Sequence, residues 1–189
     1  MREASLMHHE IRDEFFANRE PSVREWQELR RAGVGLDALC RPTMVLAGQV
    51  VRDRPVGFSF ARAGDNDAER AFLIAVEDED GRFLDIAAWQ PMRSWVGLWL
   101  GRAWAFGQAR VHDPRLGEEG ALPVWRSPLN WLRAGREGIV LIRPGAAAYF
   151  LDDAGPLFAE DVAHASELRQ LLTRTGPRIL VRAPDRRAA

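Results

Sequence analysis

Apolar and polar positions between residues 43 and 101 follow the short, repeated pattern that antiparallel strands produce. Apolar segments occupy positions 44–51, 56–61, 71–76, 83–89 and 94–101. The Asp80-Gly81 pair between two of them is a hairpin signal, because glycine accepts the positive φ that such turns require. The last segment is apolar on both faces, as expected of a strand that is covered on both sides. The pattern predicts an antiparallel sheet of about five strands with short hairpin connections.

Tryptophan is concentrated at the end of this pattern. Four of the seven tryptophans lie between residues 83 and 107, and these are Trp89, Trp95, Trp99 and Trp104. Each carries a large apolar side chain and one N–H that needs a partner when it is buried. We therefore expect a three-stranded meander over residues 71–101 to organise the chain, with Trp99 buried inside it.

The segments on either side of the strands have helical periodicity. Ser5 is a candidate N-cap for a helix over 6–17, and a second helix over 23–32 ends at Gly33. From residue 122 the pattern alternates between strands and helices. The predicted strands are 122–125, 138–142, 156–159 and 178–182, and the predicted helices begin at Ser127-Pro128, at Pro144 and at Asp161. Such alternation predicts a parallel or mixed sheet.

Together these elements predict a single α+β domain over residues 1–189. Two N-terminal helices occupy residues 1–42, the antiparallel meander covers 43–110, and an α/β segment over 121–184 extends or covers the sheet. A chain of 189 residues is long enough to bury a substantial core.

Composition narrows the possible functions. All 26 basic residues are arginine, which a GC-rich genome explains, and without lysine neither Schiff-base chemistry nor a Walker-type phosphate lysine is available. A formal net charge of −1 predicts no tight binding of duplex nucleic acid. Cys40 is the only cysteine and is expected to be a buried, unpaired thiol, which favours a reducing compartment. The polar N-terminus and the lack of a long apolar run predict a cytoplasmic protein without a membrane span.

The strongest candidate for chemistry is the set Glu160, His164 and Glu167. In a helix that begins near residue 160, spacings of four and three place these side chains on one face. A carboxylate–imidazole–carboxylate set can transfer a proton or hold a metal ion, and it follows a strand, where α/β sheets tend to place ligands. The alternative is structural: acidic residues favour the positive end of the helix, and His164 and Glu167 form a surface pair.

No established catalytic motif occurs elsewhere in the chain: GxSxG, GxGxxG, GxxxxGK[ST], HExxH and CxxC are all missing. The sequence therefore predicts no cofactor. It favours a non-enzymatic binding or accessory protein with a protein partner. The alternative is a metal-assisted hydrolase or nucleic-acid-processing enzyme centred on Glu160 and His164.

Two local resemblances accompany this interpretation. The segments GRFLDIAAWQ and RSPLNWLRAGREG resemble small uncharacterised proteins of bacterial phage or prophage type, which implies no particular activity. The order strand, Glu160-Asp161, helix, strand over 157–182 is similar in outline to a toprim core. A toprim core also requires a later Asp-x-Asp pair, whereas this chain has only Asp185 there. The resemblance therefore implies a degenerate form at best.

Overall fold

The computed structural model describes residues 2–111, 120–152 and 154–173. The helices are α1 (Arg2–Phe16), α2 (Val23–Arg31), α3 (Leu36–Cys40), α4 (Pro128–Arg133), α5 (Pro144–Phe150) and α6 (Val162–Leu172). The strands are β1 (Leu46–Arg54), β2 (Gly57–Phe60), β3 (Glu69–Glu77), β4 (Phe83–Gln90), β5 (Trp95–Leu98), β6 (Ala105–Phe106), β7 (Leu122–Trp125), β8 (Ile139–Leu141) and β9 (Leu157–Ala159). The predicted strand over 178–182 lies outside the described residues.

The first five strands form a closed barrel in the order β1-β2-β5-β4-β3. Four of the pairings are antiparallel, as the sequence predicts. The fifth joins β2 to β5 in parallel at Gly57 and Leu98, and the Leu98 N–H donates to the Val56 carbonyl at 3.0 Å. The combination of helices and strands agrees with the α+β class. The simple antiparallel sheet is wrong, because this parallel pairing closes the sheet on itself.

The predicted meander is confirmed as β3, β4 and β5. Its first turn has Gly81 at φ 72°, and the Asp78 N–H donates to the Arg82 carbonyl at 2.9 Å. The expectation that Trp99 is buried is wrong. The strand β5 ends at Leu98, so Trp99 lies just beyond it and is half-buried against Phe60, with ring centroids 5.3 Å apart.

The two faces of the barrel strands belong to different apolar clusters, because successive side chains of a strand point to opposite sides. One cluster gathers residues from β1 to β4 together with Ile11 and Phe15 of α1. The other cluster contains Phe72 and Trp89 from the opposite face of β3 and β4. It also takes residues from α2, from α4 and from the second sheet, so this core joins the barrel to the rest of the fold.

The second sheet has the strand order β6-β8-β7-β9. The inner strand β7 runs parallel to its neighbours β8 and β9, whereas the edge strand β6 is antiparallel to β8. These pairings confirm the predicted mixed sheet. The sheet is separate from the barrel and packs beside it through the shared core. Residues 105 and 106, which the sequence places in the meander region, form β6 of this second sheet.

A buried carboxylate binds the backbone of the segment that connects the barrel to the second sheet. Asp85 of β4 is fully buried, and it accepts hydrogen bonds from the backbone N–H groups of Ile86, Leu100, Arg102 and Ala103 at 2.7–3.2 Å. Three of these donors belong to the segment that leaves β5. One side chain therefore fixes the chain direction between the two sheets.

The N-terminal helices differ from expectation in detail. The helix α1 begins at Arg2, so Ser5 lies inside it and is not its N-cap. The helix α2 has a complete capping box between Ser22 and Glu25, and Gly33 follows it at φ 86°. Cys40, expected to be buried, is exposed at the end of α3. No helix within the described residues is long and apolar enough to cross a bilayer.

Candidate functional site

The predicted residues Glu160, His164 and Glu167 lie at the end of β9 and in α6. The prediction that all three share one helical face is wrong, because α6 begins at Val162 and Glu160 precedes the helix. Asp161 is the N-cap of α6, and its carboxylate accepts the His164 N–H at 2.7 Å. The His164 ring is buried, with 4% of the residue exposed, and its Nδ1 accepts the Glu160 N–H at 3.2 Å. The contact between Glu160 and His164 is thus a hydrogen bond from the Glu160 backbone N–H, just before α6, to the His164 ring.

Arg126 is the residue that connects this cluster. It directly follows β7, and because β7 and β9 are parallel their carboxyl ends meet at one edge of the sheet. The Arg126 guanidinium contacts Asp161 at 2.5 Å and Glu167 at 3.1 Å. Its backbone N–H donates to Glu160 Oε1 at 2.8 Å, and Asn130 donates to the same oxygen at 3.0 Å. Sequence reasoning missed Arg126 because its partners follow it by more than thirty positions.

The ion pairs in this cluster favour the charged forms of Arg126 and Asp161. The hydrogen bonds that Arg126 donates to Asp161 and then to Glu167 raise the pKa of Arg126, and the Arg126 guanidinium lowers the pKa of Asp161. Among the residues that the structure describes, no group of three or more His, Cys, Asp or Glu side chains is arranged to hold a metal ion. The geometry is that of a network that attaches α6 to the end of β7. A catalytic role for Glu160, His164 and Glu167 stays a prediction.

A larger candidate site lies on the outer face of the barrel, beside α2. We call it the α2 groove, and its volume is about 850 Å³. Its apolar lining includes Leu29, Ala32, Phe72, Trp89, Met92 and Leu129. Phe72 and Trp89 are direct cross-strand neighbours in β3 and β4, with ring centroids 5.8 Å apart. They form an aromatic floor, which the helix α2 borders through Leu29.

Met92 is the most exposed apolar residue of this groove. It lies in the 3₁₀ turn Pro91–Arg93 that follows β4, and 97% of its surface is open to solvent. A methionine side chain is flexible and polarizable, so it adapts to partners of different shape. This turn holds an apolar side chain away from the protein core, beside the aromatic floor.

The rim of the groove is charged. Its lining includes Glu25, Glu69, Arg70 and Arg93, and these carboxylates also pair with Arg19 and Arg52, which are not part of the lining; we call these six residues the charged rim. Arg19 donates to both carboxylate oxygens of Glu25, at 2.8 and 2.9 Å. This pairing lowers the pKa of Glu25 to about 2, against an opposing effect of burial, and hydrogen bonds from Ser22 add to it.

The second carboxylate of the rim, Glu69, has a similar environment. Gln90 donates to it at 3.1 Å, Arg52 lies 3.0 Å away, and Arg93 also contacts it. The Gln90 hydrogen bond and then the two arginine charges lower the pKa of Glu69. Arg52 also stacks on the Trp95 ring, with its guanidinium carbon 4.4 Å from the ring centroid. The rim is therefore anchored to the barrel.

The sequence contains no motif for the α2 groove, because its walls come from segments 22–32, 69–72, 89–93 and residue 129. Only the folded chain brings these segments together. The available signal was Met92, an apolar residue between Pro91 and Arg93 that no strand or helix pattern absorbs. Compared with known protein families, curated proteins and solved structures, the chain matches none.

Proposed function

We propose that the protein is a non-enzymatic binding protein and that the α2 groove takes an apolar segment of a partner protein. The observation that carries this proposal is the combination of an aromatic floor with the almost fully exposed Met92 in a groove of about 850 Å³. Leu29, Phe72 and Trp89 are at most 9% exposed, so the apolar surface that a partner reaches at this site is largely that of Met92. Covering it with a partner segment removes apolar area from water, which favours binding.

The shape of the site supports a protein segment over a small molecule. Small-molecule sites bury most of the surface of their ligand in a concave pocket. In the α2 groove, Met92 of the 3₁₀ turn after β4 is 97% exposed, so it is not enclosed in a concave pocket. An amphipathic segment that lies along such a groove presents a row of apolar side chains to the floor and leaves its polar side in water.

The alternative function, a metal-assisted hydrolase centred on Glu160 and His164, requires carboxylates with free coordination sites. In this cluster Glu160 accepts hydrogen bonds from Arg126 and Asn130, and Arg126 pairs with both Asp161 and Glu167. A metal ion would have to displace a guanidinium that holds α6 in place. These contacts favour the binding protein.

The proposal is tested by selecting peptides from a random display library on the immobilised full chain. Selected peptides are then measured against Met92→Asp and against Val162→Asp, which makes the same kind of change at an exposed valine (86% exposed) outside the groove. We expect Met92→Asp to weaken binding about tenfold or more, since burial of a methionine contributes about 1.5–3 kcal/mol. Val162→Asp is expected to bind as the wild type does. A selection that yields no peptide, or equal losses in both variants, would overturn the proposal.

A further inference from the structure

The 3₁₀ turn Pro91–Arg93 is held in place on both sides of Met92. Before the turn, Gln90 donates a hydrogen bond to Glu69 at 3.1 Å. Within the turn, Arg93 forms an ion pair with the same carboxylate. Met92 lies between these two anchors and is 97% exposed, so the turn keeps its thioether in solvent and away from the core.

The other two methionines in the described part of the chain have more protected sulfur atoms. Met7 is 38% exposed, and its Sδ accepts a hydrogen bond from Arg102 Nη2 at 2.8 Å. Met44 is partly buried against the apolar cluster of the barrel and α1. The remaining methionine, Met1, lies outside the described residues. An oxidant must reach a sulfur lone pair, so of these three methionines Met92 is the one that the fold leaves open to oxidation.

We infer that Met92 is a site of reversible oxidation by hydrogen peroxide, and that its oxidation weakens the binding of a partner at the α2 groove. In this reaction a sulfur lone pair attacks one peroxide oxygen, and an S–O bond forms as the O–O bond breaks. The leaving hydroxide takes the proton from the transferred oxygen and becomes water. The thioether is thereby oxidised to a sulfoxide and the peroxide is reduced. Methionine sulfoxide reductases reverse the change, with a dithiol as the reductant.

The effect on binding rests on the proposed function and specifies how that site is regulated. Leu29, Phe72 and Trp89 are at most 9% exposed, so Met92 supplies most of the apolar surface that a partner reaches. Oxidation converts this apolar side chain into a polar one. Covering a polar group opposes binding unless the partner offers it a hydrogen bond. One added oxygen atom therefore changes the chemistry of the site and leaves its buried floor as it was.

Peptide mapping tests the modification site. The full chain is treated with hydrogen peroxide, and the oxidised fraction of each methionine is measured over time by mass spectrometry after trypsin digestion. Arginines between Met7, Met44 and Met92 place the three in different tryptic peptides. In the folded chain we expect Met92 to oxidise at least about fivefold faster than the other two, and in urea we expect the three rates to converge. A folded chain in which Met92 reacts no faster than Met7 or Met44 overturns the inference.

Binding measurements test the consequence. Peptides from the display selection that contain no methionine or cysteine are measured against the full chain before and after peroxide treatment, once the peroxide has been removed. We expect oxidation to weaken binding at least about fivefold, and methionine sulfoxide reductases with dithiothreitol to restore it. The matched variant Met92→Leu keeps an apolar side chain of similar volume, so it should bind the peptides before and after treatment. Met7→Leu should respond to peroxide as the wild type does.

The outcomes separate this inference from the proposed function. Unchanged binding by a chain whose Met92 is oxidised overturns the inference and leaves the binding groove in place. A loss in Met92→Leu equal to that of the wild type assigns the effect to another group, such as the exposed Cys40, and also overturns it. If no peptide binds the untreated chain, the proposed function fails and the regulation fails with it, whereas the oxidation site is still decided by the peptide-mapping rates.

Discussion

The carboxylate of Asp85 accepts the backbone N–H of Arg102 at 2.7 Å, although the two residues belong to different regions of the fold. Asp85 lies in the barrel strand β4, and Arg102 lies in the segment that leads to the second sheet. The carboxylate is fully buried, and its hydrogen-bond donors among the described residues are four backbone N–H groups. The connection between the two sheets depends on this side chain.

Replacement of Asp85 by alanine should therefore be strongly destabilising. Four backbone N–H groups lose their acceptor, two of them on the buried residues Ile86 and Ala103, and we expect the free energy of unfolding to fall by about 3 kcal/mol or more. Urea denaturation measures the change. The control is Asp65→Ala, since Asp65 is exposed and accepts only the Arg62 N–H among the described residues. An Asp85→Ala variant within about 1 kcal/mol of the wild type would contradict the role of this carboxylate.

Stability should fall in acid through Glu25. Its pKa is about 2 in the folded chain and near 4.5 ordinarily, so the ionised form stabilises the fold above about pH 5 and that contribution is lost as the pH falls towards 2. In Glu25→Gln we expect the free energy of unfolding to be lower than in the wild type by about 1 kcal/mol at pH 7, and this gap to close as the pH falls through about 2. Thermal unfolding across this range gives both curves. Glu28→Gln, which removes a carboxylate at a more exposed site on the same helix, is the control. A gap between Glu25→Gln and the wild type that stays constant with pH would count against the prediction.

His164 is expected to act as a packed residue at the start of α6. Its ring is buried and accepts the Glu160 N–H, so His164→Ala should lower the free energy of unfolding by about 1–2 kcal/mol. Zinc should leave the melting temperature of both proteins unchanged, because the neighbouring carboxylates are paired with Arg126. Thermal unfolding with and without zinc tests this directly. A zinc-dependent rise in the wild type that disappears in His164→Ala would instead favour the metal-assisted hydrolase.

Gly138 has a steric requirement that its neighbour Gly135 lacks. Both have φ near 70°, but a Cβ on Gly138 would collide with the carbonyl oxygen of Pro123, whereas one on Gly135 meets nothing. We expect Gly135→Ala to cost about 1 kcal/mol from backbone strain and Gly138→Ala about 3 kcal/mol or more, because β7 must move. Urea denaturation of the two variants compares them. Equal losses would mean that strain alone decides both sites.

The elements that the sequence predicted well are those defined by neighbouring residues. The turn at Asp80-Gly81, the cap at Ser127 and the end of α2 at Gly33 each depend on a few adjacent positions, and each is confirmed. Barrel closure was not predictable in this way, because the pairing of Gly57 with Leu98 joins distant positions through a single register pair.

The candidate sites were also not predictable from neighbouring residues alone. The sequence placed Glu160, His164 and Glu167 on one helix, but the residue that determines their chemistry is Arg126, which β7 brings to them from far along the chain. The α2 groove combines a helix, two strands and a turn with no local pattern in common. The ion pairs at its rim form only when the folded chain brings Arg52 to Glu69 and Arg70 to Glu25.

The parallel contact between β2 and β5 also bears on the order in which the barrel forms. The other four ladders join strands into an antiparallel ribbon, and the β3–β4 hairpin needs only a short loop. The contact of Gly57 with Leu98 instead requires closure of a much longer loop, and long-range contacts carry their entropy cost before they gain any stabilisation. We therefore expect the antiparallel ribbon to assemble first and its two outer strands, β2 and β5, to pair last.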